Sequence, residues 1–348
     1  MIGSRGRVGE TAPPFRYVRG VAPWRKRGAL LFGAPRIPTH PFSPAMSQAS
    51  PPDSPRGIAS ALAAYLCWGL FPLFWRLLAS VDALELIAHR HVWSLAAVAL
   101  LLPLLGGAKE LRAAFRRPGL LGVGFAAGVF LTINWLVFVW GVNHGRVIEC
   151  SLGYFLQPLA AVLVGRFALR ERLSRMQTLA LAVATGGVAF LVWRTGSVPW
   201  ISLGIVASWA PYSVLKKRAA LPALPGFALE TLLLAPLAFG YLAWLASEGR
   251  GALGHAPAGV EILVVVSGLV TATPLLLFAD GARRLRLTTL GLLQYIVPTL
   301  QFLVGWAVFH EPLAQDRLVA FAFIWCGLAI YGADLVRTAR GPKRTEST

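Results

Sequence analysis

The sequence predicts an all-α membrane protein: ten transmembrane helices arranged as two inverted five-helix repeats. Three observations predict it. Of 348 residues, 56% are hydrophobic and only 14% are charged, with a mean hydropathy of +0.62; a soluble domain carries about 25% charged residues. The basic residues are concentrated in alternate loops. The chain also matches itself at one fixed offset, the one that lays Gly128 on Gly268. A formal net charge of +18 on so apolar a chain belongs either to a nucleic-acid-binding tail or to the loops of a membrane protein, and its placement decides between them.

Residues 1–56 read as a basic, Pro-rich leader. The first 45 hold eight basic residues and one acid, Glu10. The stretch lacks hydrophobic periodicity, which is the pattern of disorder. A nucleic-acid arm, an organellar transit peptide and a lipid-hugging segment all compete for it. The reading adopted is plainer: Met46, followed by a polar run, is the expected start. A short polar leader is all that insertion of the first helix needs. No short apolar run followed by a small-residue cleavage site is visible there.

Beyond Asp53 the chain is a series of apolar stretches. About 20 residues at 1.5 Å rise cross the roughly 30 Å hydrocarbon core. Ten such spans are expected, at 57–78, 84–105, 119–141, 147–165, 176–194, 199–215, 226–246, 259–280, 287–309 and 316–336. They must be helical, because lipid offers the backbone no hydrogen bonds. With the N-terminus in the cytoplasm, the inside loops and tail collect eighteen Lys and Arg residues and the outside loops four. That alternation is a strong positive-inside signal, and it places both termini in the cytoplasm.

The self-match is gapless. Gly128 meets Gly268, Phe138 meets Phe278, Gly141 meets Gly281 and Arg146 meets Arg286. Further on, Pro158 meets Pro298, Gly165 meets Gly305, Glu171 meets Glu311 and Gly187 meets Gly327. The repeats are 57–194 and 199–337, with 338–348 as a cytoplasmic tail. Five spans per half turn the second copy upside down, so Glu171 falls inside and Glu311 outside. Inverted repeats are the signature of secondary transporters, because they offer two states of similar energy.

Ionisable and polar residues at membrane depth are costly and mark candidate sites. The second span carries His89-Arg90-His91, where Arg90 reads as an anion-binding cation, or as an arginine that snorkels outward or pairs with Glu85. Asn134-Trp135 lies deep in the third span, as a cavity contact or as interhelical glue. In the fourth span Glu149, Gly153 and Gln157 share one stripe, with Tyr154 and the helix-kinking Pro158 beside it. The second copy offers Gln294, Tyr295, Pro298 and Gln301. Two proline-interrupted polar stripes at corresponding places point to a central site; tight packing through Gly and Pro is the competing explanation. Trp68, Pro72 and Pro211 suit a hinge or gate. Glu149 is the candidate proton-coupling carboxylate, with a loop acid paired to Arg146 as the weaker alternative.

Nothing suggests an enzyme. Cys67, Cys150 and Cys326 lack zinc spacing, and no Walker A, G-x-S-x-G or HExxH motif occurs. No metal or cofactor is expected.

HRHVWS (89–94), NW (134–135), SLGYFLQPL (151–159), RERLSRMQ (170–177), RRLRLTTLGLLQYIVPTL (283–300) and AFAFIWCGLAIY (320–331) resemble the RarD proteins, in the EamA-type drug/metabolite transporter superfamily. The likeness covers roughly 57–337; residues 1–45 have no counterpart in it. LRERL at 169–173 departs from it, since members often have Gly before the Glu. The resemblance implies a ten-helix permease of the bacterial inner membrane. Members are named as chloramphenicol-sensitivity or resistance permeases, which is a label and not a substrate.

The expected function is therefore a permease moving a small organic metabolite or drug-like compound by alternating access. Its substrate-binding residues would be His89, Arg90, Asn134, Trp135, Tyr154, Gln157, Gln294 and Tyr295. The partners are a small-molecule substrate and the bilayer, with no nucleic acid; proton coupling and a homodimer stay open. The rival readings are an integral membrane enzyme and a partner-binding protein that uses the basic N-terminal arm.

Overall fold

The computed structural model describes residues 53–168 and 173–340. The expectations placed on the leader up to residue 52, on Arg170, Glu171 and Arg172, and on the tail beyond 340 lie outside them.

The described chain is helical throughout. The first half is α1 (Pro55–Arg76), α2 (Ala83–Leu105), the short α3 (Ala108–Phe115), α4 (Pro118–Asn143), α5 (Val147–Ala168) and α6 (Arg175–Thr195). The second half is α7 (Trp200–Ala219), α8 (Ala223–Ser247), α9 (Ala258–Ala282), α10 (Leu287–Leu293), α11 (Ile296–Leu303) with a π-helical turn at Val304–Val308, and α12 (Gln315–Arg340). All ten expected spans fall on these segments. Nine segments are long and apolar enough to cross a membrane. The tenth long helix, α7, carries Lys216, Lys217 and Arg218 in its last turn. Large apolar side chains face outward, among them Leu100, Leu104, Trp193 and Leu237. Such a surface is stable only against lipid. The chain is an all-α, multi-pass membrane protein.

Local chemistry sets the helix boundaries. Pro55 occupies the first turn of α1, and Ser54 accepts a hydrogen bond from the Gly57 N–H at 3.0 Å. Ser174 and Gln177 close a capping box on α6. α3 was expected to be plain loop; it is a short helix seated on α4 and α8.

The ninth span is broken at its proline, as the polar stripe there leads one to expect, whereas the fourth is not. Pro298 cannot donate to the Gln294 carbonyl. There the chain tightens, with Tyr295 N–H donating to Leu292 and Val297 N–H to Gln294 at 3.3 and 3.2 Å. Pro158, its counterpart, sits in an unbroken α5, which is wedged between α7 and α11. Beyond the break, the π turn is closed by Phe309 N–H donating to the Val304 carbonyl at 2.9 Å. It returns Glu311 to the start of α5, where its carboxylate accepts from the Val147 and Ile148 N–H groups at 2.6 and 2.8 Å. The start of α10, where Leu287 matches Val147 in the repeat, is held by Asp53 instead. That carboxylate accepts from Arg286 N–H at 2.8 Å and from the Thr289 hydroxyl at 2.6 Å. These two bonds, the Arg286 N–H first, hold Asp53 below its ordinary carboxylate value.

Most of the extensive helix packing runs between the halves, and its pattern returns when the halves are exchanged. α1 packs on α9 as α7 packs on α4. α2 packs on α9 as α8 packs on α4, and α5 on α7 as α11 on α1. α2 with α8, α5 with α11 and α6 with α12 pair across the centre. The close approaches repeat as well. A Cβ on Gly141 would press on Cys150 and on Ile201, the latter at 3.3 Å. A Cβ on Gly281 would meet Ala61, the repeat counterpart of Ile201, at 2.9 Å.

Candidate substrate cavity

A cavity of about 520 Å³ lies between the halves. It is of the size that accommodates a small organic ligand. Its walls are largely aromatic, including Trp68 and Phe71 of α1, Trp135 and Phe138 of α4, and Phe278 of α9. Six of its lining pairs are repeat counterparts: Leu131 with Thr271, Trp135 with Leu275, Phe138 with Phe278, Tyr154 with Gln294, Gln157 with Val297, and Pro158 with Pro298. Equivalent positions of the two halves thus face one another across it.

Seven of the eight expected substrate residues line this space: Arg90, Asn134, Trp135, Tyr154, Gln157, Gln294 and Tyr295. So do the gate candidates Trp68, Pro158 and Pro298, whereas Pro72 and Pro211 are not in its wall. His89 turns away, its Nε2 lying 3.5 Å from Glu85 Oε1. Glu85 in turn accepts from the Ala252 N–H. Glu149 is also outside. It pairs with Arg146 and accepts from the Ile201 N–H at 3.0 Å, capping α7. The loop-acid alternative describes that geometry better than a cavity carboxylate does.

Arg90 neither snorkels nor meets Glu85. It is 1% exposed. Its guanidinium lies 4.9 Å from the centroid of the Trp135 ring, in cation–π range. Its Nη2 is 3.3 Å from His91 Nε2. That imidazole nitrogen is 2.8 Å from Thr132 Oγ1, whose own hydroxyl donates to the Gly128 carbonyl. Arg90 makes no ion pair among the described residues, and its Nε has no protein partner. Gln157 Nε2 and Gln301 Oε1 are likewise buried without a partner. Asn134 is engaged: its amide donates to the Ile205 carbonyl at 2.8 Å and to Ser208 Oγ at 3.0 Å, tying α4 to α7.

Sequence reasoning missed Glu230 and misplaced Lys216. Lys216 reads as a cytoplasmic loop cation, but it belongs to α7 and lines the cavity. Its Nζ donates to Glu230 Oε1 at 2.8 Å. Glu230 lies immediately behind it on α8, 4% exposed. One signal was available: Glu230 is the repeat counterpart of Arg90, at the same register of the second half.

A second hollow, of about 1060 Å³, is an open groove on the outer flank of α5, α11 and α12. Leu292, Trp325 and Leu328 are among the apolar residues lining it, and Tyr295 borders both spaces.

A helical membrane protein with a central cavity rich in aromatic residues and a buried guanidinium in its wall has the build of a solute carrier. Comparison with known proteins agrees. Residues 55–193 match the EamA-like transporter family. The chain is 39% identical to the uncharacterized transporter YojE of Bacillus subtilis over 295 residues, 84% of this chain and 98% of that protein. It is 40% identical to protein RarD of Streptomyces exfoliatus, over 82% of this chain and 90% of the relative. With protein RarD of Escherichia coli it shares 39%, over 82% and 96%. A solved crystal structure 21% identical in sequence shares the fold at a TM-score of 0.53, covering 81% of this chain and 98% of that one. The chain belongs to the EamA-like transporter family, among its RarD proteins, and is a membrane transporter.

Proposed function

We propose that the protein is a secondary transporter of a small organic molecule bearing an acidic group, and that the 520 Å³ cavity is its binding site. One observation carries the reading: a fully buried guanidinium that makes no ion pair among the described residues lines an aromatic space that equivalent positions of both halves build. A charge at membrane depth is costly unless it has a task, and an acidic substrate group supplies its counter-charge. Gln157 and Gln294 would orient polar groups, while Trp135, Tyr154 and Tyr295 would offer ring faces. Asn134 would shape the wall through its bonds to α7.

Alternating access follows from two repeats, 57–194 and 199–337, in inverted orientation. The exchangeable packing and the matched glycine contacts support that reading. Trp68, Pro158 and Pro298 would form the hinge around the site, with the break between α10 and α11 as its weakest point. The eighteen-to-four split of basic residues supports cytoplasmic termini, in the inner membrane of a bacterium.

The test is flux in reconstituted vesicles, with a metabolite chosen by profiling cells with and without the gene. Arg90→Ala, Arg90→Lys and Gln294→Ala should each lower flux, the first at least tenfold. Undiminished flux in all three would place the site elsewhere.

A further inference from the structure

We propose that Glu230 couples the cavity to protons: it shares the Lys216 ammonium with the substrate's acidic group, so a monoanion binds as Glu230 takes up a proton. The inference rests on the reading of the cavity as the transport site, and it assigns that site's substrate charge and coupling group.

Glu230 is seven residues into α8, about 10 Å along the axis from its start. Its Oε1 accepts from Lys216 Nζ at 2.8 Å, and the Tyr212 hydroxyl lies against the same carboxylate. The other polar groups acting on the carboxylate are Arg90 from α2 and the Tyr212 hydroxyl from α7. Among the described residues, α3, α4 and α9 contribute no acid or base to that set. Lys216 and Tyr212 reach the cavity wall, while Glu230 stays behind them. Gly226 leaves room for the ammonium there, since a Cβ at that position would lie 2.7 Å from Nζ. The ammonium is therefore held at the edge of the space a substrate would fill, with a carboxylate at its back.

The charge count then fixes what the cavity accepts. Arg90, Lys216 and Glu230 sum to one positive charge. A monoanion entering with one proton leaves that sum unchanged, so the loaded and empty carrier cross the same electrostatic barrier. A monoanion without a proton leaves Glu230 contesting Lys216 with the substrate. When Lys216 turns to the substrate, Glu230 loses the hydrogen bond that Nζ donates to its Oε1, and a proton takes the place of that contact. The balance is simple. A proton from water forms an O–H bond on Glu230, the Lys216 N–H···O bond to Glu230 breaks, and one to the substrate forms. No electrons move, and Lys216 remains an ammonium.

Naphthalene-2-sulfonate is a suitable probe, because it is aromatic and stays monoanionic across the working pH range. Its binding to the purified full-length protein is measured calorimetrically between pH 6 and 8, in buffers of differing ionisation enthalpy. Wild type should take up about one proton per probe bound, and its Kd should rise about tenfold per pH unit over part of the range. Glu230→Gln should bind with no proton uptake and a flat pH profile, and Glu230→Asp should restore the slope. Lys216→Met should weaken binding at least tenfold at every pH. Binding by wild type without proton uptake, or uptake that persists in Glu230→Gln, overturns the coupling role. The wild-type proton count alone decides this if the Gln variant does not fold. Failure of the probe to bind, or equal binding by Arg90→Ala, would instead overturn the cavity reading and this inference with it.

Discussion

Position 90 of the first half carries a buried arginine, and the equivalent position of the second half carries Glu230. The contrast recurs around the cavity. Tyr154 corresponds to Gln294, Gln157 to Val297, and Asn134, whose side chain bonds to α7, to Pro274, which has no side-chain donor. The backbones of the halves pack alike, with helices and close glycine contacts exchangeable between them. Packing symmetry and chemical asymmetry therefore sit on different atoms. The first fits the proposed exchange between two states of similar energy, and the second fits the proposed selection of an acidic substrate.

The largest test breaks the charge contrast. Arg90→Glu would bury two acids beside one lysine, a loss of about 3–5 kcal/mol by analogy with broken buried pairs. It should show as a collapse in monodisperse yield and melting temperature. Adding Glu230→Arg should recover most of the stability while leaving transport abolished. A double variant no better than the single would mean that the two positions do not sense each other. The packing equivalence is tested next. Gly141→Val and Gly281→Val should each cost about 1–3 kcal/mol, and by similar amounts, in unfolding from mixed micelles; a large difference would deny that the contacts correspond. Asn134→Leu should cost about 0.6–1.7 kcal/mol in the same assay, the range of a membrane hydrogen bond, with transport affinity changing less than in Arg90→Ala. The smallest effect concerns Asp53 at the start of α10. Its carboxyl is held below the ordinary value of about 3.9. Its contribution is therefore present above that pH and fades as the pH falls through the lowered value. Asp53→Asn should melt slightly below wild type at pH 7, with the gap closing below about pH 4.

Much of the architecture was legible because lipid imposes simple rules. Runs of about twenty apolar residues located the long helices, nine of which, among the described residues, are long and apolar enough to cross a membrane. The polar stripes of the fourth and ninth spans named Gln157 and, in the other half, Gln294, Pro298 and Gln301, and the structure brings these to one cavity while leaving Glu149 outside it. Periodicity gives a face but not its neighbour, so it could not show that His89 would turn to Glu85 or that Glu149 would cap α7. Lys216 and Glu230 escaped notice because each lies near the end of a span, where charges ordinarily meet water. Only the course of the chain from α7 into α8 brings them into contact.

The sequence alone determined the number and places of the apolar segments, the self-match and the presence of Arg90 at membrane depth, because those follow from residue type and spacing against a solvent of fixed thickness. The tertiary structure decided which polar groups share the cavity, where the ninth span breaks and which carboxylate answers the buried cations. Those depend on groups far apart in the chain meeting across helix interfaces, as Lys216 meets Glu230 and Gln301 meets Trp68, and no local pattern encodes such meetings.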